Sequence, residues 1–419
     1  MAIELSNLTF TDEDDIVPAS GVEQILNTGI ANTLAGNDRI TGTGGDYGFK
    51  NVGILNTDDG NDTITGIGSR PSNPEVGFSY GIVNSGTFNT GEGNDIITGT
   101  TQDYDGIVNS GTFNTGEGND TIDGAGFYDG LTNYGTFNTG EGNDVIIGDG
   151  RGSGIYSAPG SIFDTGDGND LISVYSRGGI DNYSNAFTTG DGNDTIESGD
   201  GDYPSINNGG LINTGNGEDY IIYRGALINY GGVFLGEGND LIIPDPNLNP
   251  DYNYPGISNY NAIETGDGDD IITSTGGIYN EGVIETGNGD DSIIVNSIGS
   301  RYNIYNNGGR IDTGDGNDSI IVNGGFQSGL NNSGSVFLGN GEDYIKGFGS
   351  GDFYGGNGND TLELTPGTYT VGIWGEGGES PIFAKGNQLM ITSEFEKLRA
   401  GSTIYDFTSL TAGQIIIVS

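Results

Sequence analysis

The sequence predicts an all-β chain: a right-handed parallel β-solenoid (β-helix) of ~13 coils of about 24 residues each, capped at both ends. Three observations predict it. One phrase recurs at a fixed period: residues 89–95, 114–120 and 138–144 all read NTGEGND. Between copies, apolar residues alternate at period 2 in short Ile-, Phe- and Val-rich runs broken by glycine, which is the pattern of strands separated by turns. No stretch before the C-terminal region sustains a helical period. A propeller blade needs about 40 residues, so the shorter period fits a solenoid, and the bias of parallel crossovers makes the expected coil right-handed.

Composition narrows the class. The chain has 419 residues, and 59 Asp plus Glu against 12 Lys plus Arg give a net charge of -47. Such acidity opposes nucleic acid and anionic membranes as partners and favours cations. There is no Cys and no His, which excludes disulfides, thiolate metal sites, the usual zinc ligand and the usual general base. The 82 glycines do not follow a Gly-X-Y period, and Ile is plentiful, so neither collagen nor disorder is expected. No apolar run approaches the ~20 residues of a membrane span. The opening MAIELSNLTFTDEDDIVPAS has no basic start and no apolar centre, so it does not read as a Sec-type signal.

Residues 1–25 read as an N-terminal cap, because an open solenoid end exposes strand edges. Residues 26–365 are the solenoid. Aligned on the aspartate that ends each phrase, the anchors are Asp38, Asp62, Asp95, Asp120, Asp144, Asp170, Asp194, Asp219, Asp240, Asp270, Asp291, Asp318, Asp343 and Asp360. Two residues after every anchor comes Ile, or Leu362 in the last copy. Eleven residues before it an Asn recurs, at positions including Asn84, Asn109, Asn133, Asn280, Asn307 and Asn332. Copy 194 keeps an Asn one step early, at Asn182. Stacked Asn amides can bond coil to coil and satisfy a buried turn. A Thr column (Thr33, Thr57, Thr90, Thr115, Thr139, Thr214, Thr265, Thr286, Thr313) stands beside the turn. It reads as a hydroxyl ladder rather than an ice-binding face, because Leu235 and Leu338 interrupt it. The arc from Asn to Asp keeps its length, so insertions, the longest at 69–80 and 244–256, all fall on the opposite edge.

Gly-x-Gly-x-Asp is a tight turn whose glycines supply positive φ and let carbonyls approach closely. Its aspartates stack. Two carboxylates ~5 Å apart repel by about 3 kcal/mol at an effective dielectric near 20, so a long row calls for cations. Carboxylate and carbonyl oxygens suit Ca²⁺ rather than a transition metal. The expectation is therefore a file of Ca²⁺ along one edge, between successive turns. The alternative is a metal-free Asx-type turn in which the Asp caps backbone.

Gly-x-Gly-x-Asp-x-apolar resembles the glycine- and aspartate-rich repeat of RTX proteins, the haemolysin-type calcium-binding repeat. GGNGNDTLEL (355–364) is the nearest match, and Asp352 and Asp360 stand eight apart, close to a nonapeptide step. An RTX coil has two such turns, whereas this chain keeps one per coil, so the resemblance implies a single file. It implies carboxylate ligands at Asp95, Asp120, Asp144, Asp170, Asp194, Asp219, Asp240, Asp270, Asp291, Asp318, Asp343 and Asp360. Carbonyls would come from the glycine pairs, such as Gly91 and Gly93, Gly116 and Gly118, Gly140 and Gly142, Gly166 and Gly168, and Gly190 and Gly192. Leu34 and Asp58 replace the first glycine in the two N-terminal turns, which departs from the family pattern.

The variable edge carries Tyr80, Tyr104, Tyr128, Tyr156, Tyr203, Tyr252, Tyr254 and Tyr302, with Arg70, Arg151, Arg177, Arg224 and Arg301. Residues 366–419 leave the repeat and read as a C-terminal β cap. The resemblance adds a possible type I secretion signal there. The function expected is a secreted or cell-surface calcium-binding structural protein, more a scaffold than an enzyme. The second reading is extracellular polysaccharide binding or modification through the Tyr/Arg edge.

Overall fold

A computed structural model describes the chain apart from residues 1, 19–22, 70–77, 176, 200–203, 247–255, 297–302, 324–325, 328–333 and 376–379, and the side chains of 326 and 327. Most of both long insertions, with Tyr203, Tyr252, Tyr254, Tyr302, Arg70, Arg301 and Asn332, lies outside the described residues. The described residues form a parallel β-solenoid of about 12 turns. They fall into two compact units, Met1–Gly225 and Ala226–Ser419.

In the first unit each coil contributes one strand to each of three parallel sheets. The coil around Asp120 is representative. Ile107–Asn109 ends on the Asn column, Thr112–Glu117 carries the Phe column, and Thr121–Ala125 carries the Ile column. Register is set by identity: Phe88, Phe113 and Phe137 pair in turn, as do Ile97, Ile122 and Ile146. A slip by one residue would turn every one of these side chains to solvent. The core is therefore a set of stacked columns. Phe88, Phe113, Phe137, Phe163 and Phe187 are fully buried and stack with centroids 4.5–4.9 Å apart and planes within 12°.

The Asn column is a bonded ladder. Asn84 donates from Nδ2 to Asn109 Oδ1 and to the Thr112 carbonyl, both at 2.8 Å, and Asn109 does the same to Asn133 and Thr136. Asn182 is in register despite its early position: it pairs with Ser157 of the coil before and donates to Asn208 of the coil after. One reading needs correction: Asn280 bonds Asn306, not Asn307, and Asn307 lies outside the ladder. The strand, not the fixed count from Asp, decides which Asn faces inward. The Thr column is buried and also includes Thr165 and Thr189; from Thr115 to Thr189 each hydroxyl donates to the next coil's Thr carbonyl, and Thr313 donates to the Leu338 carbonyl.

The first residues already pair as a coil does. Ile3–Glu4 lies parallel to Ile25 and Leu26, and Ile16–Val17 lies parallel to Arg39 and Ile40. The second unit repeats the three sheets from Leu227–Asn229 onward. Near its end the short coil between Asp343 and Asp360 passes directly from Tyr344–Lys346 to Gly351–Tyr354. Asp352 there pairs with Ser335 on the Phe sheet, so it is not a rung of the aspartate file. Strands Gly367–Trp374, Ser380–Lys385 and Gln388–Ser393 then run antiparallel. Two segments of this region keep the parallel ladder: Gln388–Ser393 against Gly351–Tyr354, and Lys397–Ala400 against Thr361–Glu363.

Phe113→Ala should open the coils it joins. The expected loss is about 3–5 kcal/mol of local opening free energy, read by hydrogen exchange over residues 88–137, whereas outward-facing Thr112→Ala should change it by less than ~0.5 kcal/mol.

Candidate functional site

The aspartate turn is built by glycine. Gly116 and Gly118 have φ of 104° and 147°. A Cβ on either would sit 1.8 Å from the carbonyl oxygen of Gly91 or Gly93 in the coil before. Glycine is thus required twice over, for backbone conformation and for coil-to-coil approach. Leu34 and Asp58 take the same bend at φ 70° and 62°, so the two N-terminal turns keep the shape without the first glycine.

Within the turn, neighbouring residues point to opposite sides. The Glu at the centre of Gly-x-Gly is exposed, and Glu92, Glu117 and Glu141 pair in register. With Asp167 and the intervening glycines they line an open groove of about 660 Å³. The following Asn is exposed and accepts from the next coil: Asn119 N–H donates to Asn94 Oδ1 at 2.7 Å. The anchor Asp turns inward and is buried.

Its bonding runs the other way. Asp95 N–H donates to Asp120 Oδ1 at 2.8 Å, and Asp120 N–H donates to Asp144 Oδ1 at 2.7 Å. In the first unit the same bond runs from Asp15 to Asp219, and in the second from Asp240 to Asp360. Every anchor Asp called from the sequence is on one of these two ladders. The Asx-type alternative is therefore half met: the carboxylate caps backbone, though of the neighbouring coil and not of its own turn.

The second oxygen is different. Oδ2 of Asp38, Asp62, Asp95, Asp120, Asp144, Asp170 and Asp194 is buried and meets no hydrogen-bond partner. The same holds for Asp270, Asp291, Asp318, Asp343 and Asp360. The adjacent threonine does not fill the gap. Thr90 stands beside Asp95 and helps lower its pKa, but a hydroxyl has one proton, and Thr90 donates it to the Thr115 carbonyl at 3.0 Å. What Oδ2 lacks is a proton or a cation.

Electrostatics agrees. Burial pushes these carboxyls up from 3.8, to about 6 at Asp95 and Asp170, about 7 at Asp62 and Asp144, and about 8 at Asp194. In the second unit Asp270 and Asp360 reach about 6, and Asp291, Asp318 and Asp343 about 7. Neighbouring rungs add to the burial effect at Asp144, Asp194 and Asp291. Among the described residues no three acidic side chains converge on one point. The carboxylates stand in single file, so an ion between coils would draw its remaining ligands from turn carbonyls.

The variable edge holds a ladder of its own. Tyr104 and Tyr128 stack with centroids 5.2 Å apart and planes 5° apart, and Arg151 lies over Phe127 at 4.4 Å. Tyr104 and Tyr128 thus turn a ring face toward each other. The sequence reading missed the carboxylates beside them. Asp105 and Asp129 are buried, and the Thr132 hydroxyl lies 3.3 and 3.5 Å from their Oδ2 atoms. The signal was present in the repeated Tyr-Asp-Gly at 104–106 and 128–130.

In chelator, stability should fall as pH rises. Each rung holds its proton more tightly folded than unfolded, so its contribution is complete below about 4 and lost as pH passes 6 to 8. Thermal melts in EDTA from pH 4 to 8.5 check this; a melting temperature that rises toward pH 8 contradicts it.

No family model and no curated protein matches the chain. Among solved structures it is similar to a hyperactive, Ca²⁺-dependent, β-helical antifreeze protein from an Antarctic bacterium, at 19% identity over 96% of each chain, with a TM-score of 0.45.

Proposed function

We propose that the chain is a calcium-binding structural protein of the cell exterior or cell surface, whose coils fold and stack around files of Ca²⁺ on the aspartate edge. The observation that carries this reading is the orphaned Oδ2 of the buried carboxylates from Asp38 to Asp194 and from Asp270 to Asp360. An asparagine could make the Oδ1 bond equally well, and the chain uses asparagine freely for coil-to-coil ladders elsewhere. Yet all fourteen copies place Asp at this position. Hydrogen bonding alone does not explain a charged group there; a cation does.

The residues fit such an ion. Asp95 through Asp219 in the first unit, and Asp240 through Asp360 in the second, would hold it with carbonyls of glycines such as Gly93, Gly118 and Gly142. Bound there, Ca²⁺ would supply positive charge to buried oxygens that no donor reaches. Hard oxygen donors of this kind prefer Ca²⁺ over softer ions, and the absence of His and Cys from the sequence leaves little to attract those. Where calcium is scarce, carboxylate repulsion opposes coil stacking and keeps the chain expanded. At the roughly millimolar calcium outside cells the same chain stacks, by the usual coupling of binding to folding.

Far-UV circular dichroism at pH 7.5, in EDTA and then with Ca²⁺ or Mg²⁺ added, tests the reading. The expected result is a β spectrum that appears with Ca²⁺ and not with Mg²⁺. A full β spectrum in EDTA, unchanged by calcium, would sink it.

Asp144→Asn separates the two partners of Oδ2. In EDTA the variant should keep its β spectrum to a higher pH than wild type, because a buried unpaired charge is removed. In saturating calcium it should be less stable, by about 1–3 kcal/mol, because a ligand is lost. A pH titration by circular dichroism in EDTA and thermal melts in calcium give the two signs, and the same sign in both conditions counts against calcium.

A further inference from the structure

The aspartate ladder has a direction, and direction creates an end. Each rung's backbone N–H is accepted by the carboxylate of the coil that follows. Asp360 is the last anchor, and no Gly-x-Gly-x-Asp turn follows it. Its N–H is nevertheless accepted at 2.7 Å, by Oε2 of Glu396.

Glu396 occupies the rung position of a coil that lacks the repeat's glycines and asparagine. Lys397 N–H donates to the Asp360 carbonyl at 3.0 Å, as Thr361 N–H does to the Asp343 carbonyl at 2.8 Å in the coil before. Two residues on, Leu398 pairs with Leu362, the apolar position after the anchor. The approach to it, Ser393-Glu394-Phe395, contains neither glycine nor asparagine, and Glu394 makes the bend at φ 61°. Of the turn's residue types, only the carboxylate is kept, on a side chain one methylene longer. The Glu396 charge acts on Asp360, whose own Oδ2 is fully buried and unpartnered.

The opposite end differs. Asp15 begins the first ladder, donating to Asp38 Oδ1 at 2.8 Å. Its own Oδ2 is already taken by the Thr11 N–H at 2.8 Å. That end is closed by a local turn, whereas the C-terminal end presents a carboxylate.

We infer that Glu396 is a calcium ligand that completes the last site of the file together with Asp360, so that docking of the C-terminal cap depends on calcium. This rests on the calcium reading above. The cap is tied to Glu396 directly, since Phe407 N–H donates to the Glu396 carbonyl at 2.9 Å.

Glu396→Gln is the test, in the full-length chain. Glutamine keeps an oxygen to accept the Asp360 N–H and removes only the charge. Native mass spectrometry of wild type, E396Q and E394Q should count one Ca²⁺ fewer in E396Q alone. Trp374, the one tryptophan, lies in the cap. In saturating Ca²⁺ its fluorescence anisotropy should be equally high in wild type and E394Q, and lower in E396Q. An unchanged count with unchanged anisotropy makes Glu396 a hydrogen-bond acceptor and overturns the inference. A wild-type chain that binds no calcium overturns the file itself, which is a different failure. If E396Q does not fold, E396D distinguishes the roles: retained calcium binding supports a carboxylate requirement, and a folded E396D with one ion fewer and a docked cap opposes it.

Discussion

Parallel coils place each side chain on its own copy, about 4.8 Å away. That single constraint governs the rest of the structure, because every residue type must tolerate itself as a neighbour. Phenylalanine does so by stacking, as from Phe88 to Phe187. Asparagine does so because an amide is both donor and acceptor, and threonine does so by passing one proton to the next carbonyl. Carboxylate does not. It has two acceptor oxygens and no donor, and its copies repel. The aspartate column is therefore where the stacking rule costs most, and where a buried oxygen is left without a donor.

The turn limits that problem to one oxygen per coil. Oδ1 is used by the backbone of the preceding coil, so the carboxylate is held in place before any partner arrives. The asparagine one step earlier faces the other way and bonds in the opposite sense. Together they lock the turn from both sides, while glycine allows the carbonyls of adjacent turns to come close. The outward glutamates add negative charge along the same edge. The site is thus preorganised by hydrogen bonds that do not satisfy it.

Much of this was legible because repeats amplify weak signals. A single Gly-x-Gly means little, but twelve among fourteen aligned turns locate the turn, the inward Asp and the apolar residue that follows. What escaped were features that depend on strand register rather than count. Asn307 sits at the expected spacing, yet the strand turns Asn306 inward. Asp352 lies near a nonapeptide step but on another sheet. Asp105 and Asp129 were hidden because the variable edge changes length between coils, which blurs alignment there. Glu396 was invisible for the reverse reason: alignment was made on the glycine turn, and its coil has lost the turn while keeping the rung. The bonds that satisfy Oδ1 and leave Oδ2 bare follow from geometry that no spacing encodes.

The ladder's direction has a consequence for how such a stack grows. The inner donors of each coil, the Asp N–H, the Thr hydroxyl and the Asn amide, all reach toward the coil that comes later in the sequence. A stack that grows from its N-terminal coil therefore always ends in a coil whose inner donors await the next coil. Each added coil closes the one before it and leaves the same request open. Stacking advances an unfinished surface from one repeat to the next, and Glu396 answers the request that the last aspartate rung leaves open.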